Sequence, residues 1–526
     1  MQTQEIAIKS NVRVLLKADS EMLDEVIVVA YGTAKKSSFT GSVSNVSGDK
    51  IAKMQTSNVS KSLEGAMAGV QISQSSGQPG SSADIYVRGI GSISANRKAL
   101  IVVDGVPYEG NLNQIAPGDI ESMTVLKDAA ANSLYGARGA NGVVLITTKR
   151  GKNGKVKVTF ENRTGVNMRG VPSYDVLTNE GEYYELYWEA MRNNAYASGQ
   201  SYLAAGQYAS ADLVSTLGGY NSYNVADAEL IDPITGRLNA NAKLKYHDNW
   251  LDEAFRPAMR QENAISLSGG TDKTSYYASI GYLYDNAYTV NSNMDRINAR
   301  VKVDQEVNDW FKAGFNLAYS NVKTNSPNVG SSSYSSIFFF GQQVAPIYPV
   351  YMYDKDGNKV YDASGNVRYD YGTEMGKRPI GANVHPIDQQ LNNIYKGTVD
   401  VINAKAYADF TFLTDFKLTI NASIDNFNTR TVSFQTPIGG DALNVNGRGT
   451  TEMERYYVLN ANQLLNWAHT YKGVHNVEVL LGHETKQDRV ENVWARKENF
   501  LVPSNPELDN AAKLSDASSS AADYAL

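Results

Sequence analysis

The feature that most constrains this chain is an alternation of apolar and polar residues that recurs through residues 151–526. Ile297, Ala299, Val301 and Val303 alternate with Asn298, Arg300, Lys302 and Asp304. Phe311, Ala313, Phe315, Leu317 and Tyr319 alternate with Lys312, Gly314, Asn316, Ala318 and Ser320. Phe416, Leu418, Ile420, Ala422 and Ile424 alternate with Lys417, Thr419, Asn421, Ser423 and Asp425. Similar runs near 156–166, 261–269, 274–285, 398–412, 456–470 and 475–488 bring the expectation to about nine strands. A period of two sends successive side chains to opposite faces of a sheet. Many of the runs approach the ~9–11 residues that a tilted strand needs to cross a bilayer.

The connections sharpen this reading. Short links are expected at 270–273, 306–309, 413–415 and 471–474, and long ones at 167–260, 323–397 and 429–455, with a shorter one at 286–294. Short turns at one end and long loops at the other belong to outer-membrane β-barrels. A soluble antiparallel sheet with one wet face shares the alternation, but has no reason to segregate its loop lengths. Within the long loops, 353–358 and 361–366 read as small hairpins with Asp-Gly and Ser-Gly turns, and 180–193 as a helix rich in Tyr and Glu. Both are possible contact surfaces, since long loops on a rigid scaffold often carry recognition. Residues 515–526, rich in Ser and Ala, carry no strand pattern and are expected to be a loop.

Composition narrows the alternatives. The 526 residues hold 49 Lys and Arg against 55 Asp and Glu, a net charge of -6, which offers no basic footprint for nucleic acid. Cysteine is absent, which excludes disulfides, thiolate metal sites and cysteine nucleophiles. Mean hydropathy is -0.37, and no apolar run nears the ~20 residues of a spanning helix. Alternating barrel strands average to such a polar score. Tyrosine, at 33 against 14 Phe and 5 Trp, suits wet β surfaces. Residues 1–22 lack the apolar core of a secretory signal, and Val12, Arg13, Val14, Leu15 and Leu16 read as one short strand.

Ahead of the alternating zone, residues 41–150 read as a small α/β unit. Asn58 is expected to cap a helix through Ser62, Leu63, Ala66 and Met67 that Gly69 stops. Strands are expected at 85–88 and 100–104, the second ending in the turn pair Asp104-Gly105. Asp128 is expected to cap a second helix, 129–134, closed by Gly136, before a strand at 142–148. Enzyme signals are poor. His483-Glu484 begins like a zinc helix, but Gln487 stands where the second histidine belongs. The glycines at 136, 139 and 142 lack the Lys-Ser/Thr ending of a phosphate loop and precede a strand. Asp354, Asp356 and Gly357 fail the calcium-loop spacing. No Gly-x-Ser-x-Gly elbow occurs. No enzyme activity, metal or cofactor is expected. The apolar run at 25–29, beside a flexible Ser/Lys linker, could instead add as a strand to another protein's sheet edge. It could equally be an edge strand of its own unit.

These residues carry a family resemblance. Asp24, Glu25, Val26, Ile27, Val28, Val29, Ala30 and Tyr31, with Gly32 and Thr33, resemble the start of SusC/RagA-type TonB-dependent outer-membrane transporters. Val87, Arg88, Gly89 through Ser92, then Ala99 through Asp104, Gly105, Val106 and Pro107, are similar to the first signature of that family's plug. A second block runs from Asp119, Glu121, Lys127 and Asp128 through Tyr135, Gly136, Arg138, Asn141 and Gly142 to Lys149. Ala30 stands where the family pattern has Gly. The likeness is strong over about 24–165 and diffuse beyond.

The resemblance implies a mostly β fold: a transmembrane antiparallel β-barrel preceded by a small α/β plug domain. It divides the chain into the end of a sandwich domain (1–20), a TonB box and linker (21–40), the plug (41–150) and the N-terminal part of the barrel (151–526). Residues 24–31 would contact TonB of the inner-membrane energising complex. A SusD-like surface lipoprotein would lid the barrel, a glycan or peptide would be the ligand, and outer-membrane lipid would surround the wall. Asn298, Arg300, Lys302, Asp304, Lys312 and Asn316 would face the lumen and the plug. Plugged transporters have about 22 strands, and an open edge in lipid costs several kcal/mol per unsatisfied group. A chain with about nine is therefore expected to be a fragment of such a transporter. The other readings are a surface adhesin or signalling receptor on the same scaffold, and a soluble hydrolase, for which no carboxylate pair or triad spacing argues.

Overall fold

A computed structural model describes residues 26–29, 32–35, 43–74, 76–91, 97–128, 133–172, 175–327, 333–472 and 474–525. The expected strand at 12–16, and Asp24, Glu25, Ala30 and Tyr31, lie outside these residues.

Strands β1 (Val26–Val29) and β2 (Gly32–Lys35) pair antiparallel as a two-stranded sheet of their own. A five-stranded sheet follows, assembled from β3 (Val43–Ser47), β6 (Leu100–Val103), β7 (Val106–Pro107), β8 (Ile120–Leu126) and β9 (Val143–Thr148). Its spatial order is β3-β8-β9-β6-β7, so β3, the first strand after the N-terminal hairpin, lies at an edge. A separate antiparallel pair holds β4 (Val70–Gln74) and β5 (Ala83–Val87). β9 reads Val-Val-Leu-Ile-Thr-Thr and is covered on both faces, as a continuous apolar run requires. The core beneath it contains Ile51, Val59, Leu63, Ile120, Met123, Val125, Val144 and Ile146.

Two local expectations change here. Asn58 does cap, its Oδ1 accepting from Ser60 N at 2.9 Å. The element it starts is only a 3-10 turn, Val59–Leu63, and not a helix reaching Met67. Gly65 follows with a φ of 65°, which the right-handed helix cannot continue through. The helix expected after Asp128 falls mostly outside the described residues, and Ser133–Gly139 is a 3-10 segment kinked at Gly136.

The rest is one antiparallel sheet of ten strands in sequential order. They are β10 (Gly154–Asn167), β11 (Ala258–Gly270), β12 (Thr274–Asn286), β13 (Asn293–Asn308), β14 (Phe311–Asn325), β15 (Ile394–Phe412), β16 (Phe416–Gln435), β17 (Arg448–Tyr471), β18 (His475–Phe500) and β19 (Ala511–Ala525). β10 and β19 are the two edges of this open wall. The tenth strand corrects the expectation of a loop over 515–526. Val490 pairs with Ala522 and Val493 with Ser519, so β19 takes its register from β18 and not from any apolar alternation of its own. Ser and Ala offer no periodic signal, yet they complete the ladder's hydrogen bonds, and those bonds decide. The link expected over 429–455 also shrinks, because β16 and β17 extend into it from both sides.

The alternation has its expected consequence. Ile280, Ile297, Val301, Phe315, Leu317, Ile402 and Ile420 are exposed on the outer face. Arg296, Asn298 and Arg300 are buried on the inner one. At the short-turn end Trp310, Phe311 and Phe410 stack with ring centres 5.1 to 6.4 Å apart, an aromatic girdle of the kind found where a barrel meets the interface.

At the opposite end the two longest links fold onto each other as a lobe. Helix Glu180–Ala197 packs Tyr184 and Trp188 against Leu213 and Val214 of a second helix, Tyr202–Thr216, that sequence patterning missed, and against Leu217, which caps it. Tyr220 and Ile347, the latter from the other link, close this core. A neighbouring cluster sets Trp250 against Phe340, Val350 and Ile387. The paired turns at Asp354–Asn358 and Asp362–Asn366 form as expected. Each Asp side chain accepts from the backbone two and four residues ahead, and Gly357 and Gly365 take the positive φ.

Candidate functional site: the seam between plug and wall

The α/β unit lies against the inner face of the ten-stranded wall, and the join is built of charge. At its centre is Asp104, in the two-residue turn between β6 and β7. Its φ is 48° and that of Gly105 is 84°, the positive pair a type I′ hairpin turn requires. Asp tolerates the left-handed region better than most residues and Gly enters it freely. The turn thus carries a carboxylate at its tip. That carboxylate accepts from Thr148 N at 2.9 Å and from Thr148 Oγ1, which ties β6–β7 to the end of β9. From the wall, Asn316 Nδ2 donates to it at 2.8 Å, and Lys302 Nζ lies 3.2 Å away. Lys405 Nζ donates to the backbone carbonyl of the same residue at 2.6 Å. Burial works against the ionised carboxylate. Lys302, Arg300 and the Thr148 hydrogen bonds outweigh it and hold Asp104 below the ordinary carboxylate range.

A second anchor is Asp119, at the entry to β8. Ser279 Oγ and Tyr277 OH donate to it at 2.6 and 3.0 Å, and Arg300 Nε stands 3.5 Å away. Beside it Arg296, buried to 1% exposure, donates Nη1 to the carbonyl of Asn113 at 2.8 Å and reaches those of Ser57 and Ile115 at 3.4 Å. One wall arginine thereby holds two plug segments. Further round the wall, Arg138 pairs with Glu484 at 2.8 Å and Lys486 with Glu109 at 2.9 Å.

The signature residues therefore divide by position. Asp104, Asp119 and Arg138 meet the wall. Glu121 lies 3.6 Å from Lys152 in the segment leading to β10. Arg88 and Asp128 pair with each other on an exposed surface, and Lys127 donates to Ser44 and to the Ala68 carbonyl. Tyr135 is buried against Val102, Leu126, Val143 and Leu145. Pro107 pairs with Val102 in the β6–β7 hairpin, Gly89 follows Arg88 with positive φ, and Asn141 lies in the turn before β9. Gly142 sits where an added Cβ would be 2.7 Å from Val87. Of the expected lumen residues, Asn298, Arg300, Lys302 and Asn316 lie in the seam. Asp304 accepts from Tyr407 OH at 2.6 Å, and Lys312 is exposed near the short-turn end. Sequence reasoning missed Arg296, Lys405, Tyr277 and Glu484. Their inward parity could have flagged the first three, but not their partners.

Among the described residues no group of His, Asp and Glu has the arrangement of a metal site, and no helix is long and apolar enough to cross a membrane.

Comparison with known proteins agrees with this architecture. Residues 35–143 match the TonB-dependent Receptor Plug Domain family. The chain is 30% identical over 437 residues to the TonB-dependent receptor SusC of Bacteroides thetaiotaomicron, covering 79% of this chain and 38% of that protein. It is 28% identical over 515 residues to the TonB-dependent receptor P3 of Formosa agariphila, covering 95% and 44% respectively. Among solved structures, the RagAB peptide importer in its open-open state superposes with a TM-score of 0.73 at 25% identity, over 95% of this chain and 53% of that one. The chain thus spans less than half the length of the two curated relatives and about half of the solved one. Plug, β wall and relatives together make it an outer-membrane protein of the SusC/RagA type of TonB-dependent receptor.

Proposed function

We propose that the chain serves TonB-dependent uptake of glycan oligosaccharides or peptides across the outer membrane, together with a SusD-like surface lipoprotein, and that it is a transporter part without enzyme activity. The observation that carries the reading is the polar seam joined to an edge-first topology. β3 is the plug strand nearest the N-terminal hairpin, and it lies at the margin of the sheet. Traction on residues 24–31 loads that margin in its five-pair register with β8, while Asp104 and Asp119 hold the centre of the plug to the wall. Ion pairs in a water-filled lumen can exchange for water as the plug shifts. A dry apolar join would lack that route.

The proposed TonB contact is β-strand addition by 26–29, and the long-loop lobe, rich in Tyr, is the face toward a lipoprotein lid. The test is deletion of residues 24–31 in the chain together with its partner lipoprotein. Accumulation of labelled oligosaccharides or peptides should fall to background while surface binding persists. Unchanged accumulation would instead support an adhesin or signalling receptor.

A further inference from the structure

Where the plug hands over to the wall, a crevice of about 530 Å³ opens at the short-turn end. One side is plug: Ser47, Gly48 and Asp49 beside Ile120 and Glu121. The other is wall: Lys155, Lys157 and Thr159 of β10, with Ser266, Ser268 and Tyr277. The floor is the connecting segment 149–154. Its path is pinned, because Gly151 lies so close to β11 and β12 that an added Cβ would meet Gly269 O at 2.3 Å and Tyr276 N at 2.4 Å.

The crevice is cationic in a chain whose net charge is -6. Lys149, Arg150, Lys152, Lys155 and Lys157 line it against Asp49, Glu121 and Glu161. Two of the three acids are engaged, Glu121 with Lys152 and Glu161 with Arg163. Among the described residues, Lys149, Arg150, Lys155 and Lys157 form no ion pair with any acid. Lys157 shares the inward parity of Glu161 and Arg163, while Val158 and Phe160 project outward, and a register shift between Gly154 and Lys157 sets Lys155 beside it in the crevice lining. Lys157 therefore looks into the bore, and the other cations gather on the same crevice. A concave surface lined by one sign of charge raises the local concentration of the opposite one.

We propose that this crevice is an anion-binding exit vestibule and that the cargo carries carboxylate or sulfate groups. The proposal rests on the transport reading above and names its substrate class. Its plug side is the stretch that traction would reach once β3 has peeled from β8, since Ser47 ends β3 and Gly48 and Asp49 follow it directly. Withdrawing that stretch widens the crevice and removes Asp49, the acid without an ion-pair partner among the described residues. The opening step thus leaves the site more positive as it becomes passable.

The test is calorimetric titration of trigalacturonate into the lipid-reconstituted full chain, with neutral maltotriose as the comparison. Trigalacturonate should bind and weaken as salt is raised. Lys155→Gln/Lys157→Gln should weaken it roughly ten- to thirtyfold. Lys355→Gln/Lys359→Gln in the distant lobe should leave it unchanged, and maltotriose should not discriminate between the variants. Both crevice lysines are exposed, so the fold survives their replacement. Absence of trigalacturonate binding, or equal binding by the crevice variant, would overturn the proposal. Titration requires no TonB, so such a failure leaves the uptake test on residues 24–31 standing.

Discussion

The seam and the lobe are two buried regions built on opposite principles. The seam joins plug to wall through Asp104, Asp119, Arg296 and Arg300, each with a polar or charged partner across the join, although Nε of Arg296 and of Arg300 is left without a hydrogen bond. The lobe is held by rings. Trp188 lies in a core of Tyr184, Leu213 and Tyr220, and Trp250 packs against Phe340 with ring centres 4.6 Å apart. Even its buried polar side chains are wrapped in aromatics. Arg378 stacks over Trp250 and Phe340, and His385 lies between Trp250 and Tyr369. A polar join can be released and remade because its groups find water when separated. An aromatic core can only be lost. The contrast assigns movement to the seam and rigidity to the lobe.

The comparison would break first at Trp188. Trp188→Ala removes a fully buried ring and the 2.8 Å hydrogen bond to Ser210, and should cost ~3–5 kcal/mol in the lobe. Protease cleavage within 168–257 should rise accordingly while the wall stays resistant. A cost below ~1 kcal/mol would show that the lobe is not a packed core.

Asp104→Ala should come next, at roughly 2–3 kcal/mol of plug retention. Loss of one partner strands Lys302, but lumen water softens the penalty below that of a dry pair. Urea-dependent release of the plug, read by a plug-to-wall cross-link, measures it. Replacing Lys302 by Met in the same chain should restore part of the loss, because one of the two cations that Asp104 faced, Lys302 and Lys405, is then gone.

Acid should separate the two regions. His385 is fully buried, with Nε2 near the Val350 carbonyl and Nδ1 accepting from Asp388 N at 3.0 Å, and burial pushes its pKa down from 6.5 to about 3. The unfolded lobe binds a proton that the folded lobe refuses. This contribution is therefore complete above pH 6.5 and declines as pH falls toward 3, by up to about 1.4 kcal/mol per pH unit. Asp104 responds later. Its value lies below the ordinary 3.8, so its contribution is present above that pH and is lost as pH falls through the lowered value. Burial raises Asp370 and Asp388 in the lobe, and these act in the opposite sense. The measurement is thus the difference between the native chain and His385→Phe, whose lobe should lose the decline between pH 6 and 4. An unchanged profile would remove His385 from the account.

The smallest effect belongs to Arg88 and Asp128. Their ion pair is exposed, and Arg88→Ala should change plug stability by less than ~1 kcal/mol. A larger loss would mean that this signature pair is held by contacts beyond its own charges.

What the amino-acid order determined alone is local and periodic. Alternation set which side chains of the patterned wall strands face lipid and which face the bore, because a strand's period is a property of its own backbone. Turn chemistry marked Asp104-Gly105 and the Asp354 and Asp362 turns for the same reason. Tertiary structure alone decided the rest. That Asp104 would meet Lys302, 198 residues away, follows from the register of wall against plug, and no local pattern encodes it. The second lobe helix is only weakly amphipathic in sequence, and which of its faces is buried was decided by the helix packed against it. β19, with Ser and Ala where alternation was sought, became a strand because the edge of β18 offered hydrogen bonds that a Ser/Ala backbone satisfies as well as any other.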